Sequence, residues 1–264
     1  MNIDLSGKSA VVSGSSSGIG LAIATGLAAS GALTIVNGRK QHAVDSAIAR
    51  IKASVPGANV SGVACDLGTL EGVTAFVEQV PEADILVNNL GFFGPGDILS
   101  TVDSEWERYF QVNVMSGVRM TRAYLDGMMR RRWGRIVFIS SESGLAIPPD
   151  MLAYGFTKTA QLSISRGVAK FAANSGVTVN AVLPGPTLSE GALDMVAATA
   201  KAQGKTPDQV LNEFVINTRG SSIIRRAATT EEVANMVIYV CSQQASATTG
   251  AALKVEGGIV DTIG

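Results

Sequence analysis

The stretch Ala10-Val11-Val12-Ser13-Gly14-Ser15-Ser16-Ser17-Gly18-Ile19-Gly20 decides the fold. An apolar, β-branched run enters a turn of glycines and serines, and an apolar helical pattern follows over residues 19–29. A buried strand, a tight turn and a helix are predicted in direct succession. Glycines at such a junction let the backbone approach a pyrophosphate, which the amides and dipole at the helix N-terminus stabilise. The spacing is Gly-x3-Gly-x-Gly, not the commoner Gly-x-Gly-x-x-Gly. Candidate cofactor contacts are Gly14, Ser16, Ser17, Gly18, Ile19 and Gly20. Glycines in a turn are weak by themselves; the strand before and the helix after supply the required context.

The same alternation continues outward. Short apolar runs recur at residues 33–36, 60–65, 85–87, 136–139, 177–182 and 252–255. Most are continuously apolar, the pattern of strands buried on both faces. Between them, residues 43–51 place Val44, Ala47, Ile48 and Ile51 on one helical face. Thr229-Thr230-Glu231-Glu232 is a capping-box pattern opening a helix that carries Val233, Met236, Val237 and Val240. The class is α/β: a doubly wound parallel sheet of about seven strands with helices on both faces. No linker or tandem repeat divides residues 1–264, so a single dinucleotide-binding and catalytic domain is expected. Residues 189–218 break the rhythm and read either as paired surface helices or as a lid, with a substrate lid assigned to about 187–220.

Composition narrows the chemistry. Twenty-one basic and 22 acidic residues leave a net charge of −1, which removes a global electrostatic case for nucleic acid or anionic membrane. Charged residues make up 16%, against roughly 25% in an average soluble domain. With a mean hydropathy of +0.27, this suggests a large core and further surface buried against partner subunits. Cys65 and Cys241 lie far apart and His42 is the one histidine, so no metal site is expected. His42 reads as a surface helix residue rather than the base of a Ser-His-Asp triad. Arg130, Arg131, Arg132 and Arg135 read as a helix C-terminus ended by Gly134, in preference to a phosphate or nucleic-acid patch. The start of the chain lacks a basic region followed by an apolar stretch, and no apolar run approaches 18 residues. A cytoplasmic protein is expected.

Two clusters point to redox chemistry. At the end of the second strand, an acid would bind the ribose 2′-hydroxyl and select NAD. Here Val36-Asn37-Gly38-Arg39-Lys40 carries no acid but two cations, Arg39 for a bidentate grip on a 2′-phosphate and Lys40 as a point charge. NADP is favoured, with NAD left open. Further on, Ser141 stands thirteen positions before Tyr154, and Lys158 follows Tyr154 by one helical turn. A tyrosine is a poor base at neutral pH unless a cation lowers its pKa, and Lys158 is expected to supply that cation. Ser141 can hydrogen-bond a substrate oxygen.

In these residues the chain resembles the short-chain dehydrogenase/reductase family in its single-domain branch, over nearly its whole length, and is most similar to 3-oxoacyl reductase-like members. The loop 13–20 is similar to Thr-Gly-x-x-x-Gly-x-Gly, with serine leading. Asp66-Leu67 matches the pair whose carboxylate holds the adenine amino group. Asn88-Asn89-Leu90-Gly91 matches Asn-Asn-Ala-Gly, which brings in Asn89 and Gly91, with Leu90 bulkier than the usual alanine. The resemblance implies that Asn113 holds a water in a proton relay and completes a tetrad with Ser141, Tyr154 and Lys158. It implies a cofactor-binding turn at Pro184-Gly185-Pro186-Thr187, where Thr187 contacts the nicotinamide carboxamide. Val255-Glu256-Gly257-Gly258 resembles a C-terminal Asp-Gly-Gly segment with glutamate for aspartate.

The implied fold is of Rossmann type, and the implied activity is reversible hydride transfer between NADP(H) and a carbonyl or secondary alcohol, as a ketone reductase. An NAD-dependent alcohol dehydrogenase and a non-catalytic cofactor-binding protein are the alternatives. The expected substrate is a small molecule, its pocket lined from residues 92–96, 145–152 and 189–218, with Ile147, Pro148, Pro149, Met151 and Leu152 as apolar candidates. The apolar load of the Tyr154 helix points to a homotetramer built on the helices around 154–174 and 229–242.

Overall fold

The computed structural model describes residues 2–263. Strand β1 (Ser9–Val12) leads into α1 (Gly18–Ala29), and the unit repeats as β2 (Leu33–Gly38), α2 (Gln41–Ser54), β3 (Val60–Ala64), α3 (Leu70–Gln79) and β4 (Ile85–Asn88). The chain then forms α4 (Asp103–Tyr109), a widened π-helical turn (Phe110–Met115), α5 (Ser116–Arg130) and β5 (Gly134–Ile139). A 3-10 turn (Glu142–Gly144), α6 (Leu152–Phe171), β6 (Val177–Pro184), α7 (Glu190–Gln203), α8 (Pro207–Thr218), α9 (Thr230–Cys241) and β7 (Ala252–Val255) complete it.

All seven strands form one parallel sheet in the order β3-β2-β1-β4-β5-β6-β7. Its central strands β4, β5 and β6 are buried at every position, as continuous apolar runs predict. Edge strand β7 is not, since a sheet edge has one neighbour. On one face, Ile23 and Leu27 of α1, Val44 of α2 and Val237 of α9 pack on Val12, Val36 and Val87. On the other, Phe76 of α3 and Met120 and Tyr124 of α5 pack on Val11, Leu86 and Phe138, with Leu162 of α6 alongside. The capping box opens α9 as expected: Glu232 N–H donates to Thr229 Oγ1 at 3.2 Å, and Thr229 N–H donates to Glu232 Oε2 at 2.8 Å.

Some boundaries and one terminator differ from expectation. Strand β6 runs on to Pro184, because a proline can close a strand where its missing N–H is not needed. The basic segment ends α5 at Arg130, but the left-handed residue is Arg132 at φ +54°, not Gly134, which starts β5. Arg135 is not a surface cation at all: it is 2% exposed, and its guanidinium donates to the carbonyls of Gly134, Gly176 and Ser242. His42 lies exposed on α2, as expected.

Candidate functional site

Strand order reverses between β1 and β4, and such a switch point opens a crevice beyond the carboxyl ends of the strands. A cavity of about 320 Å³ occupies it. The glycine loop after β1 forms one wall. Gly18 adopts φ +56°, a left-handed conformation costly for other residues, and a Cβ on Gly20 would lie 2.5 Å from the Gly14 carbonyl oxygen. Asn89, just past β4, ties the loop down by donating from Nδ2 to the carbonyls of Ser13 and Gly14, each at 2.9 Å.

The loop is also held by Asn37, which sequence reasoning passed over except as part of the β2 end. Its Oδ1 accepts from Gly14 N–H at 3.1 Å, and its Nδ2 donates to the carbonyls of Val63 and Cys65. One side chain therefore fixes the ends of β1, β2 and β3 together. That places Arg39 beside the glycine loop, since a Cβ on neighbouring Gly38 would sit 3.1 Å from Ser16 Oγ. Arg39, Lys40 and Asp66 are exposed. Asp66 Oδ1 accepts from Gly68 N–H at 3.0 Å, whereas Leu67 is 1% exposed and its side chain belongs to the core. Leu90 likewise packs against the core.

This wall fits the diphosphate of a dinucleotide. The amide of Gly18 already receives an anion from within the chain: it donates to Glu190 Oε2 at 2.5 Å. The N-terminus of α1 is thus an anion site with backbone cleared for close approach. Gly14, Ser17, Ile19 and Gly20 line the cavity beside it, with Pro184, Gly185 and Thr187 opposite. Thr187 Oγ1 donates to the Gly185 carbonyl at 2.9 Å. Ser16, Arg39, Lys40, Asp66, Leu67 and Asn113 are not on the cavity wall; the first five follow the ends of β1, β2 and β3, on the side that would extend toward an adenosine half.

Ser141, Tyr154 and Lys158 meet on the other side of the cavity, with Gly91 close to the lysine. Ser141 follows β5; Tyr154 and Lys158 share a face of α6, with the amine 5.4 Å from the phenol ring centroid. Lys158 is 4% exposed, and its Nζ donates to the Ile139 carbonyl at 2.8 Å and to Gln161 Oε1 at 3.3 Å. Burial pushes this amine down to about 7, against the opposing charge of Glu142. Burial pushes the Tyr154 phenol up, and Glu142 pushes it further, while a hydrogen bond with Ser141 opposes them. Lys158 thus stands within reach of Tyr154, in the place from which it is expected to activate the phenol.

Asn113 sits in the π-helical turn, a widened helix that recurs at functional sites. Its Oδ1 accepts from Phe92 N–H at 2.9 Å, and its Nδ2 donates to the Phe92 carbonyl and to Thr157 Oγ1. Gln161 Nε2 donates to the Asn113 carbonyl at 2.6 Å, and its Oε1 accepts from Lys158 Nζ at 3.3 Å. Gln161 is 2% exposed and was missed in the sequence. Its position three residues after Lys158, on the same helix face, is the signal that could have found it.

A second missed residue is Glu142, 4% exposed beside Ser141. Ser141 Oγ donates to Glu142 Oε2, Ser143 Oγ donates to Oε1 at 3.2 Å, and Arg219 Nε lies 3.5 Å from Oε1. Of the apolar pocket candidates, Met151 lines the cavity, together with Phe92 and Phe93, while Ile147 and Leu145 are half exposed outside it. Helices α7 and α8 contribute Met195, Leu211 and Phe214 to the cavity wall. Residues 189–218 are thus two helices, as one of the two readings had it.

Comparison with known proteins agrees with this geometry. A family profile described as enoyl-(acyl carrier protein) reductase matches residues 14–260. An uncharacterised oxidoreductase, YvaG of Bacillus subtilis (strain 168), is 44% identical over 263 residues, covering all of both chains. The 3-oxoacyl-[acyl-carrier-protein] reductase FabG of Aquifex aeolicus (strain VF5) is 34% identical, covering 98% of this chain and all of its own. L-sorbose reductase from Gluconobacter frateurii, solved with NADPH and L-sorbose, superposes with a TM-score of 0.93 at 34% identity over the full length of both chains. Among the described residues, no helix is long and apolar enough to cross a membrane, and no group of acids, cysteines or histidine could hold a metal ion. The glycine loop at the switch point and the Ser141–Tyr154–Lys158 cluster facing it are where such agreement matters: the chain is an oxidoreductase acting on hydroxyl and carbonyl groups and belongs to the short-chain dehydrogenase/reductase family.

Proposed function

We propose that the protein is an NADP(H)-dependent ketone reductase that reduces a small carbonyl compound reversibly. The observation that carries this reading is the placement of Tyr154 beside Ser141 and Lys158 on the same cavity as the glycine loop. A phenol held protonated is suited to give a proton to a carbonyl oxygen, the acid's task in reduction. When bound, the nicotinamide supplies the hydride, two electrons with one proton, to the carbonyl carbon. Tyr154 gives its proton to the oxygen, and Ser141 steadies the charge that develops there. Lys158 and Gln161 carry hydrogen bonds from the tyrosine side toward Asn113.

Exposed Arg39 and Lys40 at the end of β2, with no acid between Val36 and Lys40, support NADP over NAD. The sorbose reductase solved with NADPH supports the same choice by similarity. Helices α7 and α8 act as the substrate lid. Two unpaired thiols, Cys65 and Cys241, suit the reducing cytoplasm. Phe171 of α6 is 72% exposed, and no atom lies within 4 Å of a Cβ built on Gly167; both favour packing of α6 against another subunit in a homotetramer.

The test is oxidation of NADPH and of NADH across a panel of carbonyl compounds, with Tyr154→Phe alongside. Turnover with NADPH that falls by at least about a hundredfold in the variant is expected. Near-normal turnover of Tyr154→Phe, or binding of NADH as tight as that of NADPH, sinks the assignment. Light scattering near 27 kDa at micromolar concentration would sink the tetramer.

A further inference from the structure

The cavity holds one ionisable carboxylate, Glu142, which the chemistry above does not need. Its side chain is 6% exposed, and it abuts both Ser141 and the wall that carries Tyr154. Burying a carboxylate is expensive unless its oxygens are well satisfied. Two serine hydroxyls and one edge of Arg219 contact it, whereas an ionised carboxylate offers about four acceptor sites. Acceptor capacity is left over next to the place where a carbonyl would be reduced.

Arg219 does not turn the site into a carboxylate receptor. It approaches Glu142 through Nε, its Nη1 donates to the Thr218 carbonyl at 3.3 Å, and its guanidinium lies 5.2 Å from the Phe214 ring centroid. An acidic substrate reaching Ser141 would bring its charge against Glu142, where low polarity magnifies repulsion. The remaining lining near Tyr154 is apolar, from Met151 and Phe93. A hydrocarbon chain would leave Glu142 without a new donor and strip its remaining contact with water.

We infer that Glu142 is a specificity-determining residue that selects neutral ketones bearing a hydroxyl next to the carbonyl. The hydroxyl donates to the free acceptor side of the Glu142 carboxylate while the carbonyl oxygen lies against Ser141 and Tyr154. Simple ketones lose that bond, and 2-oxo acids are repelled. This rests on the reading of the site as a carbonyl reductase.

Three ketones of nearly equal size separate these classes: hydroxyacetone, butanone and pyruvate. Each is assayed by NADPH oxidation with the wild-type protein, Glu142→Leu and Glu142→Gln, and only ratios of kcat/KM within one protein are compared. Any general loss of activity in a variant then cancels. In the wild type, hydroxyacetone should exceed butanone by at least about tenfold, the size of a hydrogen bond to a charged acceptor, and pyruvate should be the poorest. Glu142→Leu should bring the hydroxyacetone-to-butanone ratio within about threefold of unity. Glu142→Gln keeps an acceptor without the charge, so it should retain part of that ratio while raising pyruvate relative to butanone about tenfold.

A wild-type preference for butanone or pyruvate overturns the inference and leaves carbonyl reduction standing. So does an unchanged ratio in Glu142→Leu. Should a variant fail to fold, the wild-type ratios decide alone. No turnover of any of the three ketones, together with none across the wider carbonyl panel, overturns both readings.

Discussion

Glu190, the first residue of α7, accepts a hydrogen bond from the amide of Gly18, the first residue of α1, at 2.5 Å. Its other oxygen meets Arg50 Nη2 of α2 at 3.1 Å. The carboxylate therefore occupies the anion position at the helix N-terminus where a diphosphate would bind, and it belongs to a helix that lines the cavity. A diphosphate bound at this helix end would compete with Glu190 for the Gly18 amide. Glu190→Ala should tighten NADPH binding about two- to fivefold, the size of a dipole or surface-charge effect. Titration calorimetry at low salt would measure it, and unchanged or weaker binding would remove Glu190 from the competition.

Much of this was legible from residue types alone. All seven strands lie at the apolar runs, most plainly β4, β5 and β6, where burial on both faces leaves no polar period to confuse the pattern. The loop 13–20, Tyr154 and Lys158 were legible because local spacing fixes their geometry. Asn37, Glu142 and Gln161 were not, because each acts through partners that only the folded chain brings near, such as Gly14 for Asn37 and Asn113 for Gln161. Residues 189–218 form the pair of helices that was one of their two readings. Thr206-Pro207-Asp208-Gln209 is a capping box with proline at its first helical position, so the start of α8 was readable.

Arg39 stands beside the glycine loop, in a position set by Asn37, where the proposed 2′-phosphate contact would form. Arg39→Ala should weaken NADPH by about 1.5–3 kcal/mol, the range for hydrogen bonds to a charged group, and NADH much less. Parallel dissociation constants for the two nucleotides give the answer. Equal losses for both would mean that Arg39 does not contact a 2′-phosphate.

Gln161 joins the Asn113 carbonyl to the Lys158 amine and acts through the lysine, as a positioning residue. Gln161→Leu strands both partners in a buried site and should cost about 1–3 kcal/mol of stability, read by urea unfolding. A purely structural role would stop there. Gln161→Glu sets a carboxylate against Lys158, so the alkaline limb of the kcat profile should move up by about one pH unit or more. An unmoved profile would mean that Gln161 does not govern the lysine.

Lys158 also ties stability to pH. Its amine is pushed down to about 7 by burial, so between pH 7 and the usual lysine range the unfolded chain binds a proton that the folded chain does not. Stability then rises with pH across that window, with a limiting slope of about 1.4 kcal/mol per pH unit. Below pH 7 both states hold the proton and the slope vanishes. Cys241, pushed up to about 12 by burial, acts with the opposite sign above pH 9, where the unfolded thiol ionises first. The clean window is therefore pH 7–9. Lys158→Met removes the titrating group, so the wild-type unfolding free energy minus that of the variant should climb from pH 7 to 9. Urea titrations at half-unit intervals would trace it, and a flat difference would mean that the folded protein keeps Lys158 charged throughout.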